Sequence, residues 1–298
     1  MLLPSAVLIV NYLVYEDLDR ALASLEPWLR ADDEIVVVDQ ASDALRLAQI
    51  QARHPRARCV PLRENTGFAA GVNLAARHAT APYLLLLNPD TVVEGDVMSV
   101  LSDWLASHPD VGIVGPRVRN ADGSVQPSAR RFPGVSTVFG GRSTWLTRRF
   151  PGNWFSERNL PGRDSDAPCV VDWIAGSCLM TRRDLFNRLG GFDEGFFLYW
   201  EDADYCRRAS ALGFRSVYLP QVVVRHAGGR SAERDAGPAI RAFHRSAYRL
   251  SQKYAGPVGR MLAPAIRLAL WTRGELRARR ASRRWRAGGN SGATRPAE

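Results

Sequence analysis

Short, unbroken apolar runs alternate with segments of helical repeat through the first half of the chain. Ala6-Val-Leu-Ile-Val10 is closed by Asn11-Tyr12, and Glu34-Ile-Val-Val-Val-Asp39 has the same form. Runs that are apolar at every position predict strands covered on both faces. Between them Leu18, Leu22, Leu25 and Leu29 recur at steps of three and four, which places them on one helix face. Strand, helix and strand in that order make a βαβ unit on a parallel sheet. Arg58-Cys-Val-Pro-Leu62 predicts a third, weaker strand and residues 69–79 an alanine-rich helix. Tyr83-Leu-Leu-Leu-Leu87 predicts a fourth strand, which stops at Asn88-Pro-Asp90.

Beyond Val111-Gly-Ile-Val114 the pattern loosens. Residues 120–168 are dense in Gly, Pro, Arg and Ser, with two basic-aromatic turns at Arg130-Arg-Phe-Pro133 and Arg148-Arg-Phe-Pro151. A stretch of this kind inside a compact domain is a lid, a binding loop or disorder. Regular structure is predicted again at Val170–Ile174, Ala175–Met180, a helix near 182–189, the segment 195–212 and a last strand, Val222–Val224. From 238 onward the sequence reads as helices with a basic face, and past Arg286 as a disordered tail.

Composition narrows the class. With 298 residues, 46% hydrophobic and 23% charged, the chain is a folded protein that buries a real core. Four Cys, at 59, 169, 178 and 206, lack any metal-knuckle spacing and read as free thiols in a reducing cytosol. The net charge of +10 belongs to the tail. Residues 241–298 hold 13 Arg and Lys253 against Glu275 and Glu298, a surplus of 12, so residues 1–240 carry −2. A body so near neutral argues against specific nucleic-acid binding. No run of 18 apolar residues occurs and the start lacks signal-peptide features, so a cytoplasmic protein is expected.

Polar side chains stand just past three strands: Asn11, Asp39, and Asn88 with Asp90. In an open parallel sheet these positions line the ligand crevice. Asp39 suits a base N–H or ribose hydroxyl and Asp90 a divalent cation against a diphosphate, although a lone Asp after a strand is also an ordinary turn or cap residue. Glu64-Asn-Thr-Gly-Phe-Ala-Ala-Gly-Val-Asn73 suits a loop whose backbone approaches a ligand and then opens a helix. Packing of small residues on the sheet explains Gly71 there but neither Asn65 nor Asn73. Phe192–Cys206 crowds carboxylates among aromatic rings, which exclude water and raise a carboxylate pKa, as a general base requires. Glu201, Asp202 and Asp204 cannot share one helix face, so one is expected in the cavity and another paired with Arg207 or Arg208. His226 ends the last apolar strand and reaches the same crevice edge.

These segments, in this order, resemble family-2 glycosyltransferases, and most nearly their bacterial rhamnosyltransferase-like branch. The resemblance is carried by Val7 to Asn11, Val36-Val-Val-Asp39 with Ser42, Asn65 to Asn73, Leu86-Leu-Asn-Pro-Asp90, Trp173-Ile-Ala-Gly176, Gly190-Gly-Phe-Asp-Glu194, Glu201-Asp-Ala-Asp204 and His226, and covers roughly residues 5–230. It implies a GT-A fold: an α/β domain with a mostly parallel central sheet, flanking helices and a Rossmann-like nucleotide half, here followed by a helical C-terminal extension. The expected division is a transferase domain at 1–237 (nucleotide half 1–118, acceptor and catalytic half 119–237), a basic extension at 238–286 and a tail at 287–298.

The same resemblance implies an inverting enzyme, a nucleotide-sugar donor and a divalent metal, Mg²⁺ or Mn²⁺. Asp39 resembles the nucleobase-contacting acid and Asn65, Gly67 and Asn73 the donor-side loop, with Asn11 and Asn88 on the same side. Asp90 resembles the last acid of a metal-binding Asp-x-Asp motif, Asp202 the catalytic base with Glu201 as its fallback, and His226 a metal- or diphosphate-contacting residue. Trp173, Gly176 and Trp200 are expected on the acceptor side. Two departures stand out: Asn88 removes the first acid of the Asp-x-Asp motif, and Gln40, in place of the usual Asn, is expected to perturb a turn and little else.

The implied donor is dTDP-rhamnose, with UDP-linked hexoses open, and the implied acceptor a bacterial envelope glycan, free or lipid-linked, contacted through 120–168. The alternative is a membrane-surface nucleotide-sugar binding protein with little transferase activity. For the tail, two readings are equally allowed. Met261–Trp271 with the arginines from 273 to 286 suits an anionic membrane surface on the inner face of the cell membrane, whereas Phe243, Ala247, Leu250 and Tyr254 suit packing on the catalytic body. A dinucleotide-binding Rossmann enzyme is disfavoured by the lack of GxGxxG, and a nucleotidyltransferase by the lack of a Gly-rich basic loop after the first strand.

Overall fold

The computed structural model describes residues 3–132, 166–228 and 236–289, with side chains up to 281 in the final helix. The predicted strand–helix alternation is present: β1 (Ser5–Tyr12), α1 (Tyr15–Leu25), β2 (Glu34–Gln40), α2 (Ala44–Arg53), β3 (Ala57–Pro61), α3 (Phe68–Arg77) and β4 (Tyr83–Leu87). Next come β5 (Thr91–Val93), α4 (Val97–Ser107), β6 (Val111–Arg119), β7 (Val125–Gln126), β8 (Ala129–Arg130), β9 (Cys169–Val171), β10 (Trp173–Ile174) and β11 (Cys178–Arg182). The chain then forms α5 (Arg183–Arg188), α6 (Glu201–Ala211), β12 (Arg215–His226), α7 (Ala236–Lys253), α8 (Pro257–Met261) and α9 (Ala263–Gly289).

The main sheet runs β3-β2-β1-β4-β11-β6-β12-β5, with β7 on β6 and β9 on β12; β8 and β10 pair separately. Strands β3, β2, β1, β4, β6 and β12 point one way, while β11 and β5 point the other. Alternation along each strand divides the core between the two faces. Ala6, Leu8 and Val10 of β1 face α3 and α6, while Val7 and Ile9 face α1, α2 and α4. Asp43 and Asp96 start α2 and α4 by accepting from backbone N–H groups of the first turn.

Three elements differ from the sequence reading. The last strand spans Arg215–His226, well beyond Val222–Val224, and breaks register between Leu219 and Val223, which disguises it as two pieces. Helices α2 and α4 lack the long leucine repeat that announces α1. Most of the irregular stretch, including Arg148–Pro151, lies outside the described residues. In the extension, Leu250 is buried and Tyr254 packs on the core, so α7 follows the packing reading, and α9 lies along α7. No helix among the described residues is long and apolar enough to cross a membrane.

Leu85 sits at the centre of β4 with no exposure. Leu85→Ala is expected to cost about 2–5 kcal/mol, read as a shift in the urea unfolding midpoint at unchanged slope.

Candidate active site

Strand polarity assembles the site. The carboxyl ends of β1, β2, β4 and β12 share one sheet edge, and β11, being antiparallel, begins at that edge with Cys178 opposite Leu87. The residues before β11 therefore meet the residues after β4. Ser177 C=O accepts from the Asn88 N–H (3.0 Å) and the Thr91 hydroxyl (3.3 Å), while the adjacent Gly176 N–H donates to Asp202 Oδ2 at 2.9 Å. Two consecutive residues thus join the Asn88–Asp90 turn to the Glu201–Asp202 helix.

At the nucleotide-half end, Asn11 and Asp39 are register partners, fully buried. Asp39 accepts from Asn11 Nδ2 (2.7 Å), the Tyr15 hydroxyl (2.8 Å) and Ser42 Oγ (2.5 Å). Burial, with Asp39 alongside, pushes the Tyr15 phenol up to about 12, so it remains a donor. Asn11 Oδ1 is buried without a partner among the described residues.

Gln40 does more than shape a turn. Its Oε1 accepts from the Thr66 N–H and hydroxyl, and its Nε2 donates to Gly67 C=O at 2.8 Å, clamping the 65–67 loop to β2. Gly67 takes φ +93, and a Cβ there would sit 2.5 Å from Phe197 O, so only glycine fits. Asn65 Oδ1 accepts from its N–H. Asn73 turns elsewhere. Its Nδ2 donates to Phe192 O and Glu194 Oε1, and its Oδ1 accepts from Phe192 N, so its amide braces α3 against the Gly190–Glu194 turn. The sequence reading had put Asn73 on the donor; the two asparagines of the motif are divided between the loop and this brace.

Asp90 Oδ1 lies 3.1 Å from His226 Nε2, both residues buried, with Asn88 Nδ2 at 3.3 Å from the same nitrogen. Neighbouring ligands of a six-coordinate ion with bonds of about 2.1 Å stand at about that separation. The oxygen and nitrogen therefore fit two adjacent ligand positions. Among the described residues no group of three His, Cys, Asp or Glu gathers, so water or phosphate oxygens would complete the shell.

Glu201 and Asp202 open α6 after Tyr199 and Trp200, two non-glycine residues with φ of +67 and +72. This left-handed pair reverses the chain and turns the first helical turn into the site. Burial, then the charge of Asp202, holds the Glu201 carboxyl well above the usual range, and its Oε2 has no partner among the described residues. Burial raises Asp202 too, but N–H groups of Gly176 and Ala203 and the charge of Arg130 favour its ionised form. Of the two carboxyls, Asp202 therefore has the surroundings that favour a charge and Glu201 those that favour a proton. The Tyr199 phenol is raised by burial, with the Glu201 and Asp90 carboxyls adding to the rise.

Helix α7 fastens this segment. Asp204, fully buried, accepts from Arg208 Nε (2.8 Å), the Tyr254 hydroxyl (2.7 Å) and Lys253 Nζ (2.8 Å). Lys253 and Arg249 also bind Asp193, and with the N–H of Gly195 they outweigh its partial burial and bring it down to about 2. Phe243 packs on the Tyr199 and Trp200 rings, and Ser246 donates to Leu198 O.

The sequence profile described as Glycosyl transferase family 2 matches residues 6–190. The chain belongs to that family. The chain is 33% identical over 293 residues to the N-acetylglucosaminyl-diphospho-decaprenol L-rhamnosyltransferase of Mycobacterium tuberculosis, an alignment covering 94% of each. It is 30% identical over 202 residues to the Escherichia coli rhamnosyltransferase WbbL, covering 64% of this chain and 73% of that one. Among solved structures it is similar to the mannosyltransferase PcManGT from Pyrobaculum calidifontis in complex with GDP-Man and Mn²⁺. That match has a TM-score of 0.56 and 18% identity, and covers 98% of this chain and 76% of that one. GalNAc-T7 with UDP, GalNAc and Mn²⁺ matches at a TM-score of 0.59 and 17% identity, covering 76% and 43%. The fold is GT-A and the chain is a glycosyltransferase.

Within this family member, Trp173 is buried with Nε1 donating to Arg131 O, and Trp200 lies 6.1 Å from it with a buried Nε1 that has no partner among the described residues. Gly176 acts through its N–H on Asp202. Tyr199 and Gln126, which contacts His226, escaped the sequence reading because nothing in their spacing sets them apart. A carboxyl whose folded pKa is raised contributes stability below its unfolded value and loses it as pH climbs to the folded value. Glu201→Gln is therefore expected to gain melting temperature over the wild type progressively as pH rises from the ordinary carboxylate range towards neutral, in parallel thermal melts.

Proposed function

We propose that this glycosyltransferase moves rhamnose from dTDP-rhamnose to a hydroxyl of a lipid-linked bacterial envelope glycan, inverting the anomeric carbon. Asp202, held by the N–H groups of Gly176 and Ala203 and linked through Gly176 and Ser177 to the turn that carries Asp90 beside His226, carries the reading. Rhamnose and the polyprenyl-linked acceptor are supported by the mycobacterial relative aligned along nearly its whole length. Asp202 takes the acceptor proton as the oxygen attacks opposite the leaving group. Glu201, holding its proton, keeps a second negative charge away from that oxygen. Asp39, with Asn11 and Tyr15, receives the nucleoside, and the Asn65–Gly67 loop presents backbone to the donor. Asp90 and His226 would hold a divalent cation, Mg²⁺ or Mn²⁺, which supplies positive charge against the departing diphosphate. Trp173 and Trp200 wall the acceptor side.

Asp202→Asn is expected to lower turnover by about 10²–10⁴ while donor-induced thermal stabilisation persists. Unchanged turnover in that variant, with loss in Glu201→Gln, would transfer the base to Glu201. A panel of nucleotide sugars with and without Mn²⁺ should give its largest melting shift with dTDP-rhamnose; a larger shift with a UDP-hexose would replace the donor.

The second partner in this reading is an anionic membrane surface on the cytoplasmic side, met by α9. Gly274 and Ala278 are buried, Gly274 against His244 of α7, whereas Leu268, Trp271 and Leu276 of α9 are 62, 62 and 57% exposed and Met261 at the end of α8 is 74% exposed. Exposed Arg267, Arg279 and Arg280 stand among these apolar side chains. Such a helix lies in an interface, where each arginine near anionic headgroups adds about 1 kcal/mol. Flotation with vesicles containing anionic phospholipid should recover the wild type, and Leu268→Glu with Trp271→Glu should abolish recovery; equal recovery removes the membrane partner.

A further inference from the structure

The β6–β7 hairpin ends in a polar chain that reaches His226 from the side away from Asp90. His226 Nδ1 stands 2.8 Å from Gln126 Oε1, Gln126 Nε2 is 3.2 Å from Asn120 Oδ1, and Asn120 Nδ2 is 2.8 Å from Ser124 Oγ. Ser124 Oγ is 2.6 Å from Asp122 Oδ1, which also accepts the Ser124 N–H. These bonds favour the ionised form of Asp122.

Hydrogen counting orients the whole chain. A carboxylate only accepts, so the single hydroxyl proton of Ser124 points at Asp122. Asn120 must then donate to Ser124 Oγ with its NH₂, which leaves its carbonyl oxygen towards Gln126. Gln126 must answer with its own NH₂, so its oxygen faces His226, and the proton between them belongs to Nδ1 of the imidazole. Nε2 of the neutral ring is then bare, aimed at Asp90 Oδ1 and Asn88 Nδ2. A bare nitrogen facing a carboxylate oxygen at 3.1 Å is an arrangement that a cation between them stabilises.

We propose that Gln126, oriented by Asn120, Ser124 and Asp122, is a positioning residue that holds His226 in the Nδ1–H tautomer and so keeps Nε2 ready for a divalent cation. This deepens the metal reading above and rests on it for its purpose, but the tautomer itself is measurable on the metal-free chain. No step of catalysis passes through Gln126; it acts through the imidazole alone, as outer partners of metal-bound histidines do.

Two measurements on the full chain test it. Long-range ¹H–¹⁵N correlation spectra of the metal-free protein, with His226 assigned by His226→Gln, should show the proton of the neutral ring on Nδ1 in the wild type. In Gln126→Leu the spectrum should move towards Nε2–H. A neutral wild-type ring protonated on Nε2 overturns the proposal outright. Titration calorimetry with Mn²⁺ alone should show affinity weakened by about 10- to 100-fold in Gln126→Leu. Gln126→Glu, which restores an acceptor, should stay within a few-fold of wild type, and Ser124→Ala, on the exposed hairpin, should give a smaller loss. Equal Mn²⁺ affinity in wild type and a folded Gln126→Leu would refute the device. A wild type that ignores Mn²⁺ would instead overturn the metal reading, and with it the purpose of the relay, while the spectra still decide the tautomer.

Discussion

One antiparallel strand inserted into an otherwise parallel stretch of sheet is the constraint on which the site depends. Parallel strands deliver all their carboxyl ends to one edge, and β11 brings an amino end there. Only that reversal lets Gly176 and Ser177 use one N–H and one carbonyl to hold residues from β4 and from α6, which are more than a hundred positions apart. Backbone groups impose geometry more rigidly than side chains would, since neither can rotate away. The acid pair and the Asp90–His226 pair are therefore fixed relative to each other by the register of the sheet.

Electrostatics then differentiates groups that the sequence writes alike. Glu201 and Asp202 are adjacent carboxyls, but Asp202 meets the backbone N–H groups of Gly176 and Ala203, whereas Glu201 has an oxygen with no partner among the described residues. Asp204, two residues on, is surrounded by Arg208, Lys253 and Tyr254 and supports the helix. Three acids within one helical turn thus take three roles, set by what faces each of them.

Much of this was legible in the chain itself. The apolar runs 6–10, 34–39 and 83–87 became β1, β2 and β4 because continuous burial leaves no other pattern, and the polar residues that follow them stand at one edge as parallel topology requires. One of the three acids was expected to pair with Arg207 or Arg208, and Asp204 is the one that meets Arg208. What stayed hidden depends on contacts distant in sequence. Asn73 looks like its neighbours in a glycine-rich loop until the 190–194 turn arrives to use its amide. Gln40 was read as a minor turn change, whereas it clamps Thr66 and Gly67. The left-handed Tyr199–Trp200 pair has no signature, since bulky residues are poor indicators of positive φ.

The fastening of α7 has a consequence for anyone building hybrids from this family. Asp204 is buried with charges supplied from α7, and the rings of Tyr199 and Trp200 rest on Phe243 of the same helix. A chimera that grafts another relative's terminal helices onto this sheet would have to import counterparts of Phe243, Lys253 and Tyr254 as a set. Without them the transplanted protein would retain its nucleotide half and lose the alignment of its acid pair, so specificity swaps are best cut upstream of residue 193 and carried through to the end of α7.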